Sequence, residues 1–179
     1  MLYLGIGAGR IAVPLASAGI QLVGVDSHPG MLARLRQRLP DIELVQGRIE
    51  DLALGREFQL VIAPSNILFL VRRLRAAAGH LSVGGTLAFE LTNPHWLRAG
   101  AGSDVRLLSL DGNEARIDVD YRLPDGSVVT QRAELSLVWP EEVEGWLAHG
   151  AGLRLLRMFG ARETGLEASP SFYVVAARE

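Results

Sequence analysis

The chain has 179 residues, no cysteine, 49% hydrophobic residues and a formal net charge of −2. This length suits one domain with a hydrophobic core, and the composition is too apolar for a disordered chain. The lack of cysteine excludes a disulfide scaffold, a cysteine zinc site and a cysteine nucleophile. The near-neutral charge argues against a nucleic-acid partner. No apolar run approaches the roughly 18 residues that a membrane span needs, so we expect a cytoplasmic protein.

Short apolar runs alternate with helical patterns through the first half of the chain. The predicted strands are Leu2–Leu4, Gln21–Asp26, Ile42–Val45, Phe58–Ala63 and Thr86–Leu91. The predicted helices are Arg10–Ala18, a helix with Ser27 as its N-cap, and Asn66–Leu81. Alternation of this kind predicts βαβ units in a parallel sheet that is covered by helices on both faces.

The second half is different, with extended stretches at Val105–Leu110, Ala115–Leu123 and Ser127–Leu137. Turn sequences rich in Gly, Asn and Asp separate them, which predicts an antiparallel insertion. A helix that opens at Pro140 and a pair of strands, Leu153–Gly160 and Ser171–Ala177, close the chain. We therefore predict a single domain over residues 1–179, with an antiparallel lid over approximately residues 103–138.

A glycine-rich loop, Gly5-x-Gly7-x-Gly9, lies between the first predicted strand and helix. Glycines let a backbone approach a ligand closely, and the following helix presents free N–H groups. Asp26 ends the second predicted strand, where a carboxylate can accept both hydroxyls of a ribose. A dinucleotide fingerprint reads G-x-G-x-x-G, but here the third glycine comes one residue early. That spacing and the antiparallel end of the chain favour an S-adenosylmethionine site over an NAD site.

Residues 2–11 resemble motif I of the class I S-adenosylmethionine-dependent methyltransferases, and residues 25–32 resemble the segment that follows it. Residues 58–64 and 81–87 are similar to the family's fourth strand and to the entry into its fifth. The tail from Glu141 to Ser171 resembles that of small-molecule members with an antiparallel cap. The resemblance implies a Rossmann-like α/β fold with seven strands, mostly parallel with an antiparallel last strand, and a lid after strand five.

The resemblance also implies which residues bind S-adenosylmethionine. The expected residues lie in the glycine loop, at the end of strand two and in the loops after strands three and four: Gly5, Ile6, Gly7, Ala8, Gly9, Asp26, Ser27, Met31, Arg48, Ile49, Pro64 and Ser65. Tyr3 stands where the family usually has an acidic residue. Arg48 stands at the position that contacts the adenine edge, where the family commonly has an acidic residue. Glu50 or Asp51 is an alternative acid there. The chain also begins at the first strand, so we expect an N-terminally short member with an exposed apolar sheet face.

Two residues are candidates for catalysis, and no His spacing predicts a metal site. His95 follows the fifth strand and is either a base in the substrate pocket or a loop residue that packs beside Trp96. Asn66 either orients the acceptor atom or is the N-cap of the next helix.

The sequence therefore predicts methyl transfer from S-adenosylmethionine to oxygen or nitrogen of a small molecule. One alternative is a non-catalytic methyltransferase-like subunit, or a truncated core that needs a partner or is missing N-terminal helices. In that case a homodimer or a partner chain would cover the exposed sheet face. A weaker alternative is an NAD-dependent enzyme.

Overall fold

A computed structural model describes residues 1–161 and 165–179, except the side chain of Glu167. Ten strands are described: β1 Leu2–Leu4, β2 Val23–Asp26, β3 Glu43–Gln46, β4 Phe58–Ala63, β5 Leu81–Thr92, β6 Val105–Asp111, β7 Glu114–Arg122, β8 Val128–Ser136, β9 Leu153–Gly160 and β10 Ser171–Arg178. The described α-helices are α1 Ala12–Ser17, α2 Pro29–Arg38, α3 Val71–Gly79, α4 Pro94–Arg98 and α5 Val143–Ala151. Short 3₁₀ helices lie at Ile49–Asp51, Pro140–Glu142 and Leu166–Ala168.

Seven strands form the main sheet, in the order β3-β2-β1-β4-β5-β10-β9. The pairs among β1 to β5 are parallel, whereas β10 runs antiparallel to both β5 and β9. The order reverses beside β1, and ligands of open α/β sheets bind at such a point, outside the carboxyl ends of the strands. The predicted seven-stranded sheet with one antiparallel strand is confirmed.

The insertion after β5 is a separate antiparallel sheet in the order β6-β7-β8. One of its faces packs on α4 through an apolar cluster that includes Leu97, Ile117 and Leu137. The predicted antiparallel insertion after the fifth strand is confirmed.

Two apolar clusters hold the main sheet between its helices. The larger one contains residues from β1, β4, β5, β10, α3 and α5, with Leu74, Leu147 and Phe172 fully buried. The smaller one joins Tyr3 of β1 to α1 and α2 on the opposite face, where Leu35 is fully buried. Helices therefore cover both faces of the strands that carry the glycine loop and Asp26.

Two predicted helix boundaries were wrong. His28, and not Ser27, is the N-cap of α2, because its side chain accepts a hydrogen bond from Met31 N at 3.3 Å. The helix predicted from Asn66 begins only at Val71 and has Leu70 as its N-cap. Ser65 and Asn66 both have positive φ angles, +78° and +49°, so the chain there forms a loop instead of the first helical turn.

Candidate functional site

The glycine loop between β1 and α1 is held against the end of β2 by its own backbone. Gly5 N and Ile6 N both donate to Val25 O, at 2.8 and 3.0 Å. Gly5, Gly7 and Gly9 all have positive φ, at +69°, +56° and +91°. A Cβ at Gly5 would lie 2.7 Å from Ile67 Cδ1. The positive φ and the short distance to the end of the Ile67 side chain disfavour any larger residue at position 5, so the backbone itself forms the wall facing Ile67.

Asp26 joins the loop to the start of α2. Its Oδ2 accepts a hydrogen bond from Gly7 N at 2.8 Å, and its Oδ1 accepts one from His28 N at 2.9 Å. An ionised carboxylate offers about four lone-pair positions, so about two remain available. Asp26 can hold the loop and still accept a pair of hydroxyl groups.

A cavity of about 450 Å³ opens at this edge of the sheet. Five predicted cofactor residues line it, namely Gly5, Asp26, Ser27, Arg48 and Ile49. The other lining residues are Gly47, Glu50, Ile67 and Arg73. A larger cavity of about 590 Å³ lies at the opposite edge, beside Met1 and Pro40. It is far from the carboxyl ends of the strands, so we assign the site to the first cavity.

Glu50 is the centre of an ion-pair network in this cavity. Its carboxylate lies 2.6 Å from Arg48 Nη2, 3.1 Å from Arg73 Nε and 3.7 Å from Arg72 Nε. The hydrogen bond from Arg48, with further help from Arg73, lowers the pKa of Glu50 to about 2. Arg73 also donates to Ile67 O at 3.2 Å. The network therefore fixes the loop after β3 to the segment that leads into α3.

The remaining predicted cofactor residues do not line this cavity. The Ile6 side chain is buried behind the loop, and Gly9 packs so closely that a Cβ would lie 2.4 Å from Leu35 Cδ1. Ala8 accepts a hydrogen bond through its carbonyl from Arg38 Nη1, at 3.0 Å. Met31 is exposed on α2. These positions shape the loop and the helices behind it.

The loop after β4 is strained and tightly held. Ser65 and Asn66 are both left-handed, which is costly for residues other than glycine. Ser65 N donates to Glu90 Oε2 at 3.0 Å, and Asn66 N donates to Glu90 O at 3.2 Å. Asn66 Oδ1 accepts from Thr92 N at 3.0 Å, so the Asn66 side chain is not a helix cap. The end of β5 therefore holds this loop in shape.

His95 lies at the junction between α4 and the segment before α5. Its Nε2 is 3.0 Å from Glu141 Oε2, and its ring meets Trp139 edge-on at 5.1 Å between centroids. The bond to His95 is the main cause of the lowered pKa of Glu141. The loop alternative placed His95 beside Trp96, whereas its aromatic neighbour is Trp139. His95 is not among the residues that line the 450 Å³ cavity.

Sequence reasoning missed three wall residues, Gly47, Ile67 and Arg73. Arg73 belongs to a run with Arg72 and Arg75 that reads as a charged helix face. The rotation of α3 about its axis places Arg73 on the side facing Glu50, and the sequence does not show this rotation. Glu50 itself was foreseen as an alternative acid at the adenine edge. Among the residues that the structure describes, no group of three or more His, Asp or Glu side chains could hold a metal ion.

Comparison with known proteins agrees with this geometry. A family model described as "Methyltransferase domain" matches residues 1–85, which run from β1 into β5. The chain has a class I methyltransferase fold. The predicted resemblance to that family is therefore confirmed. The matched residues contain the glycine loop, Asp26 and the Glu50 network.

Two solved methyltransferase structures resemble nearly the whole chain. The CcbJ methyltransferase of Streptomyces caelestis is 24% identical with a TM-score of 0.76, covering 99% of this chain and 88% of its own. CalS10 of Micromonospora echinaspora is an amino pentose methyltransferase involved in calicheamicin biosynthesis, and its structure holds S-adenosylmethionine. It is 25% identical with a TM-score of 0.69, covering 99% of this chain and 82% of its own.

A similar sequence is the uncharacterized methyltransferase sll0829 of Synechocystis. It is 42% identical over 62 residues, which are 34% of this chain and 29% of that protein. The match thus spans less than a third of that relative. Separately, no helix in the described part of the chain is long and apolar enough to cross a membrane.

Proposed function

We propose that this chain is an enzyme that transfers a methyl group from S-adenosylmethionine to nitrogen or oxygen of a small molecule. The observation that carries the proposal is the cavity where the glycine loop, Asp26 and the loop after β3 meet. The methyltransferase matches and the antiparallel β10 favour this reaction over that of an NAD-dependent enzyme.

The residues present fit the cofactor. Gly5 leaves a wall without a side chain, because a Cβ there would fill the space beside Ile67. Asp26 keeps lone pairs for two ribose hydroxyls after it has bound Gly7 N and His28 N. Ile49 and Ile67 provide apolar contact for a purine ring. Arg48 forms an ion pair with Glu50. The backbone of the loop after β3 would therefore make the hydrogen bonds to the edge of the adenine.

The bound cofactor would supply a methyl group on a positively charged sulfur, which a lone pair can attack directly. The protein must align the acceptor and exclude water, so no catalytic triad is required. We propose that the strained loop at Ser65 and Asn66 provides this alignment. Because Asn66 Oδ1 accepts from Thr92 N, the NH₂ group is the part of this side chain that can donate to a polar group of the substrate beside the attacking atom.

In the balanced reaction, a bond forms between the acceptor atom and the methyl carbon while the carbon–sulfur bond breaks. The electron pair of that bond stays on sulfur, and the acceptor loses a proton. We keep the prediction that His95 receives this proton. Its Nε2 lies 3.0 Å from Glu141 Oε2, so Glu141 holds the ring in place.

Four other expectations stay predictions. They are a single domain, a cytoplasmic location, the absence of a nucleic-acid partner, and a homodimer or partner chain on the sheet face.

The proposal is tested by incubating the folded chain with methyl-labelled S-adenosylmethionine and a panel of small amines and alcohols. We expect S-adenosylhomocysteine to form only when a suitable acceptor is present. Binding of S-adenosylmethionine without turnover on any acceptor would favour the non-catalytic subunit. Absence of both binding and turnover in a folded sample would overturn the proposal.

A further inference from the structure

The inserted sheet has an open edge along strand β8. In the described part of the chain, β8 pairs with β7 and with no other strand. Its register with β7 is unbroken, whereas the pairing of β6 with β7 is interrupted between Leu107 and Ser109. β8 also contains no proline. Bulges and prolines normally keep a sheet edge from pairing with another chain, so β8 is the edge of this sheet that can accept a further strand.

Two hydrogen bonds at the ends of the β7–β8 ladder show which backbone groups of β8 point outward. Leu123 N donates to Ser127 O at 2.8 Å, and Leu137 N donates to Asn113 O at 2.7 Å. Along an antiparallel ladder, hydrogen-bonded pairs alternate with pairs that are not hydrogen-bonded. The odd-numbered residues of β8 therefore bond to β7, and the even-numbered ones direct their N–H and C=O groups to the open edge. The even-numbered residues are Val128, Thr130, Arg132, Glu134 and Ser136.

The polar face of β8 carries ion pairs with β7. Arg132 Nε lies 2.9 Å from Asp118 Oδ1, and Arg116 Nε lies 3.1 Å from Glu134 Oε1. Each pair joins residues that are directly opposite in the ladder. The open edge thus presents a positive Arg132 and, two residues further on, a negative Glu134. An edge with this charge order is complementary to a second copy of itself that runs antiparallel, because opposite charges then face each other.

We propose that the chain forms a homodimer in which β8 pairs antiparallel with β8 of a second copy. The two-fold axis passes through Ala133, so Arg132 faces the partner's Glu134 and Glu134 faces the partner's Arg132. The two inserted sheets then form one sheet of six strands. Each row of charged side chains across its four central strands alternates in sign, in the order Arg116, Glu134, the partner's Arg132 and the partner's Asp118.

Charge selects this register over its neighbours. Both residues of a bonded pair must point to the edge, so the axis passes through a residue and not between two residues. With the axis at Arg132 or at Glu134, that residue would face its own copy, and like charges directly opposite each other are destabilising. With the axis at Gln131, Arg132 would face the uncharged Thr130. The axis at Ala133 instead gives two pairs of opposite charge.

The dimer also brings exposed apolar side chains together with apolar neighbours. Val129 and its ladder partner Tyr121 are 49% and 50% exposed. They lie on the face that packs against α4 further along the strands. In the proposed register Val129 lies opposite the partner's Leu137, which belongs to the apolar cluster on α4. Each copy thereby extends the apolar cluster of the other. This interface is separate from the apolar face of the main sheet.

The test measures self-association by sedimentation velocity with two charge-reversal variants. In Arg132→Glu both facing pairs become Glu–Glu, and in Glu134→Arg both become Arg–Arg. We expect each variant alone to dimerise at least about tenfold more weakly than the parent chain, because two attractive pairs become repulsive. A 1:1 mixture of the two variants restores both opposite-charge pairs and should dimerise like the parent chain. Glu144→Arg, an exposed charge reversal on α5, is the control and should also dimerise like the parent chain.

Thermal melts show that each variant is folded. A parent chain that stays monomeric at its highest soluble concentration would overturn the proposal. So would folded single variants that dimerise as tightly as the parent chain, or a mixture of them that stays monomeric.

Amide hydrogen exchange tests the interface on the parent chain, independently of how the variants fold. In the monomer the outward amides of Thr130, Arg132 and Glu134 have no strand to bond to. We expect these three amides to become protected from exchange as the protein concentration rises. A dimer in which they exchange as fast as in the monomer uses another surface, such as the main sheet face, and would contradict the proposal.

Discussion

Replacing Asp26 by Asn should weaken S-adenosylmethionine binding strongly. The two carboxylate oxygens accept from Gly7 N and His28 N, at 2.8 and 2.9 Å. In Asp26→Asn one oxygen becomes an NH₂ group that faces a backbone donor, and the charged acceptor for the ribose is lost. A hydrogen bond to a charged group contributes about 1.5–3 kcal/mol, so a total near 3 kcal/mol, or about 100-fold in Kd, is expected.

Isothermal titration calorimetry with S-adenosylmethionine measures this change. Asp41→Asn is a matched control, because Asp41 is exposed and lies at the opposite edge of the sheet. It removes the same charge and should leave the Kd within about twofold, as expected for a surface change away from the site. If folded Asp26→Asn bound the cofactor within threefold of the parent chain, the assignment of Asp26 to the ribose would be refuted.

Three further predictions concern stability and use denaturant or thermal unfolding. Gly9→Ala should lower the free energy of unfolding by about 2–4 kcal/mol, because the new Cβ clashes with Leu35 and the backbone there has a positive φ. Gly19→Ala should lower it clearly less, because Gly19 has a similar φ of +81° but open space around it. Glu50 has a lowered pKa, so its stabilisation is complete above its usual value of 4.5 and is lost as pH falls through about 2. Across that pH range the free energy of unfolding of the parent chain should therefore fall by up to about 3 kcal/mol more than that of Glu50→Gln. The same dependence of stability on pH in both proteins would contradict the ion-pair network around Glu50. Asn66→Ala should lower the free energy of unfolding by about 2 kcal/mol, because the partly buried Thr92 N loses its acceptor and alanine strains the left-handed backbone. Asn66→Gly should lower it less, because glycine adopts this backbone without strain.

The strand pattern and the glycine loop were predictable because they depend on local sequence. Buried parallel strands read as short apolar runs, and a βα turn that approaches a ligand needs glycine. These two signals predicted the parallel strands and the position of Asp26 at the edge of the sheet. The seven-stranded order was implied by the family resemblance, and the antiparallel insertion was predicted from its turn sequences.

The extent of β5 was harder to predict. Gly84 and Gly85 read as a turn, but the strand runs through them from Leu81 to Thr92, with an irregular register opposite Phe58 and Leu60. A Cβ at Gly85 would lie 2.8 Å from a carbonyl oxygen, so this glycine permits close packing within the strand. Sequence alone does not separate a turn glycine from one in an irregular strand.

Contacts between distant residues explain the other omissions. His95 and Glu141 are 46 residues apart, and Arg73 reaches Glu50 across 23 residues. Each pair depends on how two elements pack, and neither member shows a spacing that predicts the other. The same holds for Glu90, Tyr173 and Phe159, which become neighbours only when β5, β10 and β9 are in register.

The most direct test of the account is to map where S-adenosylmethionine binds on the ¹⁵N-labelled chain. We predict that the backbone amides of Gly5, Gly7 and Gly47 shift on addition of the cofactor, while that of Asp41 at the opposite edge does not. Shifts confined to the region of Asp41, or no shifts at saturating cofactor, would contradict the assignment of the cofactor site.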